Sequence, residues 1–371
     1  VFSLLVDQAD DRRDPGPRAG WPVYVGWIAL VLAVVGAVIL ALSPSPYVVE
    51  RPGPVFDTLG EVEMGDETVP LIDIPDETTY PTEGTLDLLT VVVDGSREIP
   101  LAWLDVASSW FDPRHAVVPV DAIFPDGQTQ EEADEQSALA MQNSQQYAIA
   151  AALDELGVGY TSEVEIVETI DEFPADGVLL PGDVVLAIGD LPVSTVLELR
   201  AELARSGVGA PVTFTVRRDG AEIPIEVTPV ASDTDGSPVV GVAARDEYEF
   251  PIDVRIQLER VGGPSAGMMF ALGIYDKLTP GALTGGERVA GTGTIAPGGA
   301  VGPIGGIVQK MYGALDAGAE WFLAPASNCD EVVGHAPDGL RVVAVSDLDG
   351  AISALEAIGA GKSTELPTCE R

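Results

Sequence analysis

Ser265 stands in VGGPSAGMMFALG, residues 261–273, with glycines on both sides, a proline before it and a helical-looking apolar run after it. A serine so placed has two uses. Its hydroxyl can cap a helix by accepting a first-turn N–H, or it can attack an electrophile if a neighbouring base takes its proton. The chain has only two histidines, His115 and His335, and three lysines, Lys277, Lys310 and Lys362, among 19 basic residues. Arginine keeps its proton in proteins, so a base for Ser265 must be one of these lysines, a carboxylate or a histidine. In the helical pattern that starts near Gly306, the stripe Ile307, Met311, Ala314 and Leu315 is flanked by Lys310, while Gln309 and Asp316 point the other way. Lys310 is therefore expected to be partly buried. Burial disfavours an ammonium charge and so suits a lysine to general-base work near neutral pH; the alternative is a lysine whose stem covers the core edge while its head reaches water.

Four short motifs compete for attention. GPSAG matches the G-x-S-x-G nucleophile elbow, and His335 follows in the matching chain order. That fold needs several strand–helix units around the elbow, for which the segment has little room. GTGTIA, 291–296, matches a dinucleotide fingerprint, but Pro297-Gly298-Gly299 makes a hairpin turn where a helix would have to begin. GAGKST, 359–364, has Glu356 where a phosphate-binding loop needs its first glycine. S-x-x-K fails because Met268 occupies the lysine position. No nucleotide or other cofactor is expected, and no metal, since neither histidine sits in a ligand-spaced cluster. The D-x-D-G fragment of ASDTDGSP, 231–238, lacks the further oxygen ligands of a calcium loop and reads as linker.

The elements that must position this chemistry fall into sections. Residues 23–42 form an uncharged apolar run of bilayer length, with Trp21, Tyr24, Trp27 and Tyr47 suited to interfacial anchoring. A cleaved signal is the alternative. Arg12, Arg13 and Arg18 before the run, against Arg51 shortly after it, place residues 1–22 in the cytoplasm and the remainder outside. The expected localisation is thus the cell membrane, single-pass. In that exported part Cys329 and Cys369 can form a disulfide, with two free buried thiols as the alternative. A net charge of −40 argues against nucleic acid as a partner. Residues 43–157 read as an α/β structural region holding strand-like LDLLTVVV (86–93) and a long helix over 128–156, with Ala138, Met141, Ala148 and Ala152 on one face.

Residues 158–230 change to strands around one helix, and GVLLPGDVVLAIGDLPV (177–193) resembles a PDZ domain of the bacterial protease-associated kind. Such domains hold an extended peptide by strand addition beside a helix. The resemblance implies peptide-binding residues at Tyr160, Thr161, Ser162 and Val164. Residues 231–249 read as linker and domain entry, and 361–371 as a C-terminal tail. In the last helix, Ser346 and Asp349 approximate a capping box and Gly359 ends the pattern.

The segment 250–360 is similar to the proteolytic domain of Lon proteases. The resemblance rests on GGPSAG, on VAGTGTIAPGGAVGPIGGIVQK from Val289 to Lys310, and on the following AGAEWFLAPASN. Joined to one apolar span and a PDZ-like domain, it resembles the ATP-independent Lon-like PDZ proteases of bacterial cell envelopes. The implied fold is multidomain: an N-terminal transmembrane helix, a PDZ-like β-rich domain and an α+β Lon-type proteolytic domain. The implied activity is a membrane-anchored serine endopeptidase acting through an acyl-enzyme on protein or peptide substrates, with the PDZ domain presenting or gating them. Ser265 is then the nucleophile, Lys310 the general base, and Thr292 a partner of the lysine. Gly263, Pro264 and Ala266 support the serine, and amides at the start of its helix supply oxyanion donors. The resemblance also implies homo-oligomers. Many Lon relatives that work with an ATPase carry an acidic residue three before the serine, where this chain has Gly262. The competing expectation is an inactive PDZ adaptor or sensor at the cell surface.

Overall fold

The computed structural model describes residues 21–65, 67–125, 127, 129–232, 235–258 and 261–369. Arg12, Arg13 and Arg18, on which the orientation expectation rests, lie outside the described residues, as do Asp233 and Thr234 of the linker. The chain divides into two compact units, 1–51 with 92–130, and 52–91 with 131–371. Its first elements are α1 (Trp21–Ala41), β1 (Tyr47–Asp57), β2 (Ile72–Asp73), β3 (Thr85–Asp94), α2 (Trp103–Ser109), β4 (Ala116–Pro119) and α3 (Gln130–Glu155).

In the smaller unit, α1 is apolar on every face, and its window Tyr24–Ala41 has mean hydropathy 2.5 with no part buried. By length and composition it can cross a membrane, as an anchor or a signal sequence can. The first residues of β1 pair antiparallel with β4, from Tyr47 opposite Pro119 to Glu50 opposite Ala116. The Tyr47 and Trp103 rings meet edge to face at 5.7 Å.

The larger unit continues with β5 (Thr161–Thr169), β6 (Val184–Ile188), α4 (Val196–Ser206), β7 (Val212–Arg218), β8 (Ala221–Val227), β9 (Val242–Glu249), β10 (Arg255–Ile256) and α5 (Gly267–Leu278). It ends with β11 (Arg288–Gly291), the hairpin β12 (Thr294–Ile295) and β13 (Val301–Gly302), α6 (Ile307–Asp316), β14 (Trp321–Pro325), β15 (Arg341–Val345) and α7 (Leu348–Gly359). Strands β3, β11, β14 and β15 form a parallel ladder in which Gly291 faces Leu88 on one side and Leu323 on the other. Parallel strands are stable when both faces are covered. Here α3, α5 and α7 pack on Leu86, Leu88, Val289 and Leu323, while α6 packs on Ala290, Phe322 and Ala324 from the opposite face.

Two boundaries differ from the sequence expectation. Residues 43–157 do not form a region of their own: β3 pairs with β11, and Ala148, Ala151, Ala152 and Leu153 of α3 lie in the core that also holds Met268–Leu272. Ala138 is exposed. Residues 231–249 are not only a linker, because β9 pairs with β5 along its full length. The antiparallel sheet, in the order β8-β7-β6-β5-β9, is therefore an insertion between α3 and β10 of the α/β fold. Register between distant strands leaves no local mark, which is why neither boundary shows in the sequence.

Local rules account for the inserted sheet. Thr195 caps α4 by accepting the Glu198 N–H at 3.2 Å, and Gly207 ends the helix. Asp183, in the GVLLPGD stretch, is buried and receives two Arg218 nitrogens at 2.6 Å and the Leu180 N–H at 2.8 Å. Burial opposes its charge, but these donors outweigh that and hold the carboxyl below its usual range. At the last helix the cap is Asp347, accepting the Gly350 N–H at 2.8 Å, and not Ser346; the helix runs to Gly359 as expected. Cys329 and Cys369 are joined in a disulfide, with Cα atoms 5.0 Å apart. The bridge ties the C-terminal segment to the turn after β14, and the Ala344 N–H, bonded to Pro367 O at 2.9 Å, ties it to β15.

Candidate active site

Ser265 lies two residues before the first turn of α5, whose N-cap is Ala266. It therefore does not cap the helix, and the α5 N-cap has no side-chain hydrogen bond. Gly263 takes φ +84°, a conformation that suits glycine, and its N–H donates to the Ser137 carbonyl at 2.8 Å. The Pro264 carbonyl accepts from the Ser144 hydroxyl at 2.9 Å. Behind the serine, a Cβ at Gly267 would stand 2.7 Å from both Ile295 Cγ2 and Ser144 Oγ, so only glycine lets α5 approach the hairpin and α3 this closely. The loop carrying Ser265 is thus held by backbone and side chain together.

Lys310 stands on the second turn of α6, which begins after Gly306. It is 3% exposed, so its head does not reach bulk water. Its Nζ lies 2.7 Å from Ser265 Oγ and 3.0 Å from Thr292 Oγ1. Thr292, also buried, directly follows β11 and donates its hydroxyl to the Ser265 carbonyl at 3.0 Å. The Gly293 N–H reaches the same carbonyl at 2.9 Å. An amine this deep is tolerated only with oxygen partners, and the serine and threonine hydroxyls are two of them. Three expected site residues, 18 to 45 positions apart, therefore converge at the C-terminal end of the parallel ladder. An amine beside a serine hydroxyl can take its proton once neutral, which is one arrangement able to activate a nucleophile.

The other look-alikes go elsewhere. His335 places Nδ1 3.0 Å from the Glu331 carbonyl, and GTGTIA enters the hairpin in which Thr294 faces Gly302. Among the described residues, no group of three or more His, Cys, Asp or Glu side chains is arranged to hold a metal ion.

The expected peptide-binding residues Tyr160, Thr161, Ser162 and Val164 are not brought to a groove. Val164 is paired on both edges, with Asp246 of β9 and Val185 of β6, while Ser162 faces Tyr248 and Thr161 faces Glu249 on the β9 edge. Tyr160 joins a ring cluster with Tyr248 and Phe250, at 5.9 and 5.4 Å. The cavity of this sheet, about 530 Å³, lies instead between α4 and the Val239–Ala244 segment, lined by Leu199, Leu203, Phe214, Val240 and Val242. The strand beside the helix thus comes from the end of the insertion, whereas the expected residues lie at its beginning. Reasoning from sequence also missed Ser144, whose signal was available: it is a polar residue three after Met141 and four before Ala148, inside their apolar stripe.

Comparison with known proteins assigns families to two segments. Residues 139–228 match the PDZ domain family, and residues 259–356 match the Lon protease (S16) C-terminal proteolytic domain. Lon protease 2 of Bacillus subtilis is 34% identical over 85 residues, 23% of this chain and 15% of that protein. Lon protease 2 of Herpetosiphon aurantiacus is 37% identical over 105 residues, 26% of this chain and 13% of that protein. The matches thus take in less than a sixth of each relative. Among solved structures, the PDZ domain of an SdrC-like protein from Listeria innocua is 21% identical, covering 22% of this chain and 92% of its own, with TM-score 0.21. That of the Listeria monocytogenes SdrC-like protein is 22% identical, covering 22% and 85%, also at TM-score 0.21.

Proposed function

From a chain that carries a PDZ domain and a Lon-type proteolytic domain, we propose a membrane-anchored serine endopeptidase that cleaves peptide bonds without nucleotide through Ser265 and Lys310. The observation that carries the reading is the 2.7 Å approach of a buried lysine amine to the serine hydroxyl. In the acylation step Ser265 Oγ attacks the peptide carbonyl carbon while its proton passes to neutral Lys310 Nζ. The tetrahedral intermediate collapses, the C–N bond breaks, and Lys310 returns the proton to the leaving amine. Water then attacks the ester, losing its proton to Lys310, and the acid product leaves as Ser265 Oγ is reprotonated. Burial, at 3% exposure for Lys310, is the setting that disfavours the charged form of an amine. Thr292 accepts from the lysine and donates to the Ser265 carbonyl, orienting both partners.

The oxyanion donors follow from which amides are already engaged. The Gly267 N–H bonds the Pro264 carbonyl and the Met268 N–H the Gly293 carbonyl. The role therefore falls to the Ser265 and Ala266 amides just ahead of α5. The cavity between α4 and β9 takes an extended peptide along β9, and α1 serves as the anchor. The test is hydrolysis of an unstructured protein such as casein by the full chain in detergent, with no nucleotide. Ser265→Ala and Lys310→Arg should each lower the rate at least about 1,000-fold. Wild-type rates in both variants would overturn the reading.

A further inference from the structure

Helix α3 touches two functional parts of its unit on neighbouring turns. Its Ser137 carbonyl and Ser144 hydroxyl hold Gly263 and Pro264, the two residues immediately before Ser265. Three residues after Ser144, on the same face, the Tyr147 hydroxyl donates to Asp246 Oδ2 at 2.8 Å. The other oxygen of that carboxylate, Oδ1, accepts the Val196 N–H at 2.5 Å. Asp246 belongs to β9 and Val196 opens α4, the two walls of the cavity in the inserted sheet. One carboxylate thus fixes the spacing of those walls and is itself tied to the helix under the serine loop. Burial, reinforced by Asp246, raises the Tyr147 phenol above its ordinary range, so it stays a donor.

The insertion meets α3 where its two ends come together. Its beginning and end meet at the ring cluster Tyr160, Tyr248 and Phe250, and the Tyr147 ring meets Tyr248 edge on at 6.2 Å. An occupant that spreads α4 from β9 must lengthen the Val196–Asp246 bond and redirect the carboxylate on Tyr147. A cavity filled in that way differs from the empty one in a contact made directly to α3, which is the differential interaction that any coupling between sites needs.

We infer that Tyr147 and Ser144 are positioning residues through which filling the α4–β9 cavity alters the setting of the Ser265 loop. The inference builds on the proteolytic reading for its consequence in rate, but the coupling itself is measurable without turnover. The probe is covalent, so that no natural ligand is needed. Ala204 is solvent-exposed and lines the cavity on α4, and both native cysteines are disulfide-bonded. In the full chain, Ala204→Cys is labelled with a bulky pyrene maleimide, and hydrogen exchange across residues 261–268 is followed alongside casein hydrolysis. Labelling should change loop exchange by about 5-fold or more, within the range usual for coupled sites. In Ala204→Cys combined with Tyr147→Phe, which keeps the ring and removes only the hydroxyl, the change should fall below about 2-fold. Ser144→Ala should likewise uncouple the loop, while Ser144→Thr, which keeps a hydroxyl, restores the response. Equal responses with and without the Tyr147 hydroxyl, or no response in the parent variant, overturn the inference. A coupled loop in a chain that hydrolyses nothing would instead overturn the proteolytic reading and leave the coupling standing.

Discussion

Strand β14, Trp321–Pro325, buries all five of its residues, whereas β9, Val242–Glu249, alternates half-buried and exposed positions along its whole length. The first belongs to a parallel ladder covered by helices on both faces, the second to an antiparallel sheet with one face open to water. The difference decides where each sheet can host polar chemistry. Within the ladder a charge or an amine is costly unless partnered, so Lys310 and Thr292 gather where β11 ends and the loops begin. The antiparallel sheet can leave a cavity at its side, because only one face of each strand is committed to its core.

The comparison is broken most severely through the two cores. Phe322 in the ladder and Phe214 in the inserted sheet are both fully buried, in separate clusters. Replacing either by alanine should cost about 3–5 kcal/mol. Hydrogen exchange should accelerate in β3, β11, β14 and β15 for Phe322→Ala, and in β5 to β9 for Phe214→Ala. Uniform acceleration in both variants would show that the sheets unfold as one.

A smaller effect concerns a buried carboxylate on a strand of the ladder. Asp87 on β3 is 5% exposed, and burial together with repulsion from Asp57 pushes it up to about 6, against hydrogen bonding from Thr85. Its folded value lies above the unfolded value of about 3.9. The folded state consequently binds more proton between about pH 4 and 6, and stability falls as pH rises through that window. Asp87→Asn should remove that slope and stabilise the protein at pH 8 by on the order of 2 kcal/mol. Denaturant titrations at pH 4.5 and 8 would show it, and an unchanged slope would refute it.

The smallest effect lies on the open face of the inserted sheet, where Arg245 pairs with Glu165 at 2.8 Å and Glu247 at 2.6 Å, with its own side chain 55% exposed. Solvent screening limits such pairs, so Arg245→Ala should change stability by about 1 kcal/mol or less. The remainder should vanish in 1 M salt. A loss comparable to that of Phe214→Ala would mean that this face is covered.

Much of this was legible without coordinates. The apolar run of α1, the α6 stripe beside Lys310, and the glycine-flanked Ser265 all declare themselves by spacing, because helix periodicity and turn chemistry act over a few residues. The cap at Asp347 in place of Ser346 shows the resolution of such reading: local rules locate an end to within a residue or so.

What the sequence by itself determined, then, is which residues can react and which short elements they sit on, since both depend on side-chain type and near neighbours. Tertiary structure alone decided that β3 and α3 belong to the fold around Ser265, that β9 and not the start of β5 walls the cavity, and that Ser144 and Tyr147 link the two. Those outcomes rest on pairings such as Leu88 with Gly291 and Val164 with Asp246. Contacts between residues so far apart in the chain are selected by the whole packed core, and no local pattern records them.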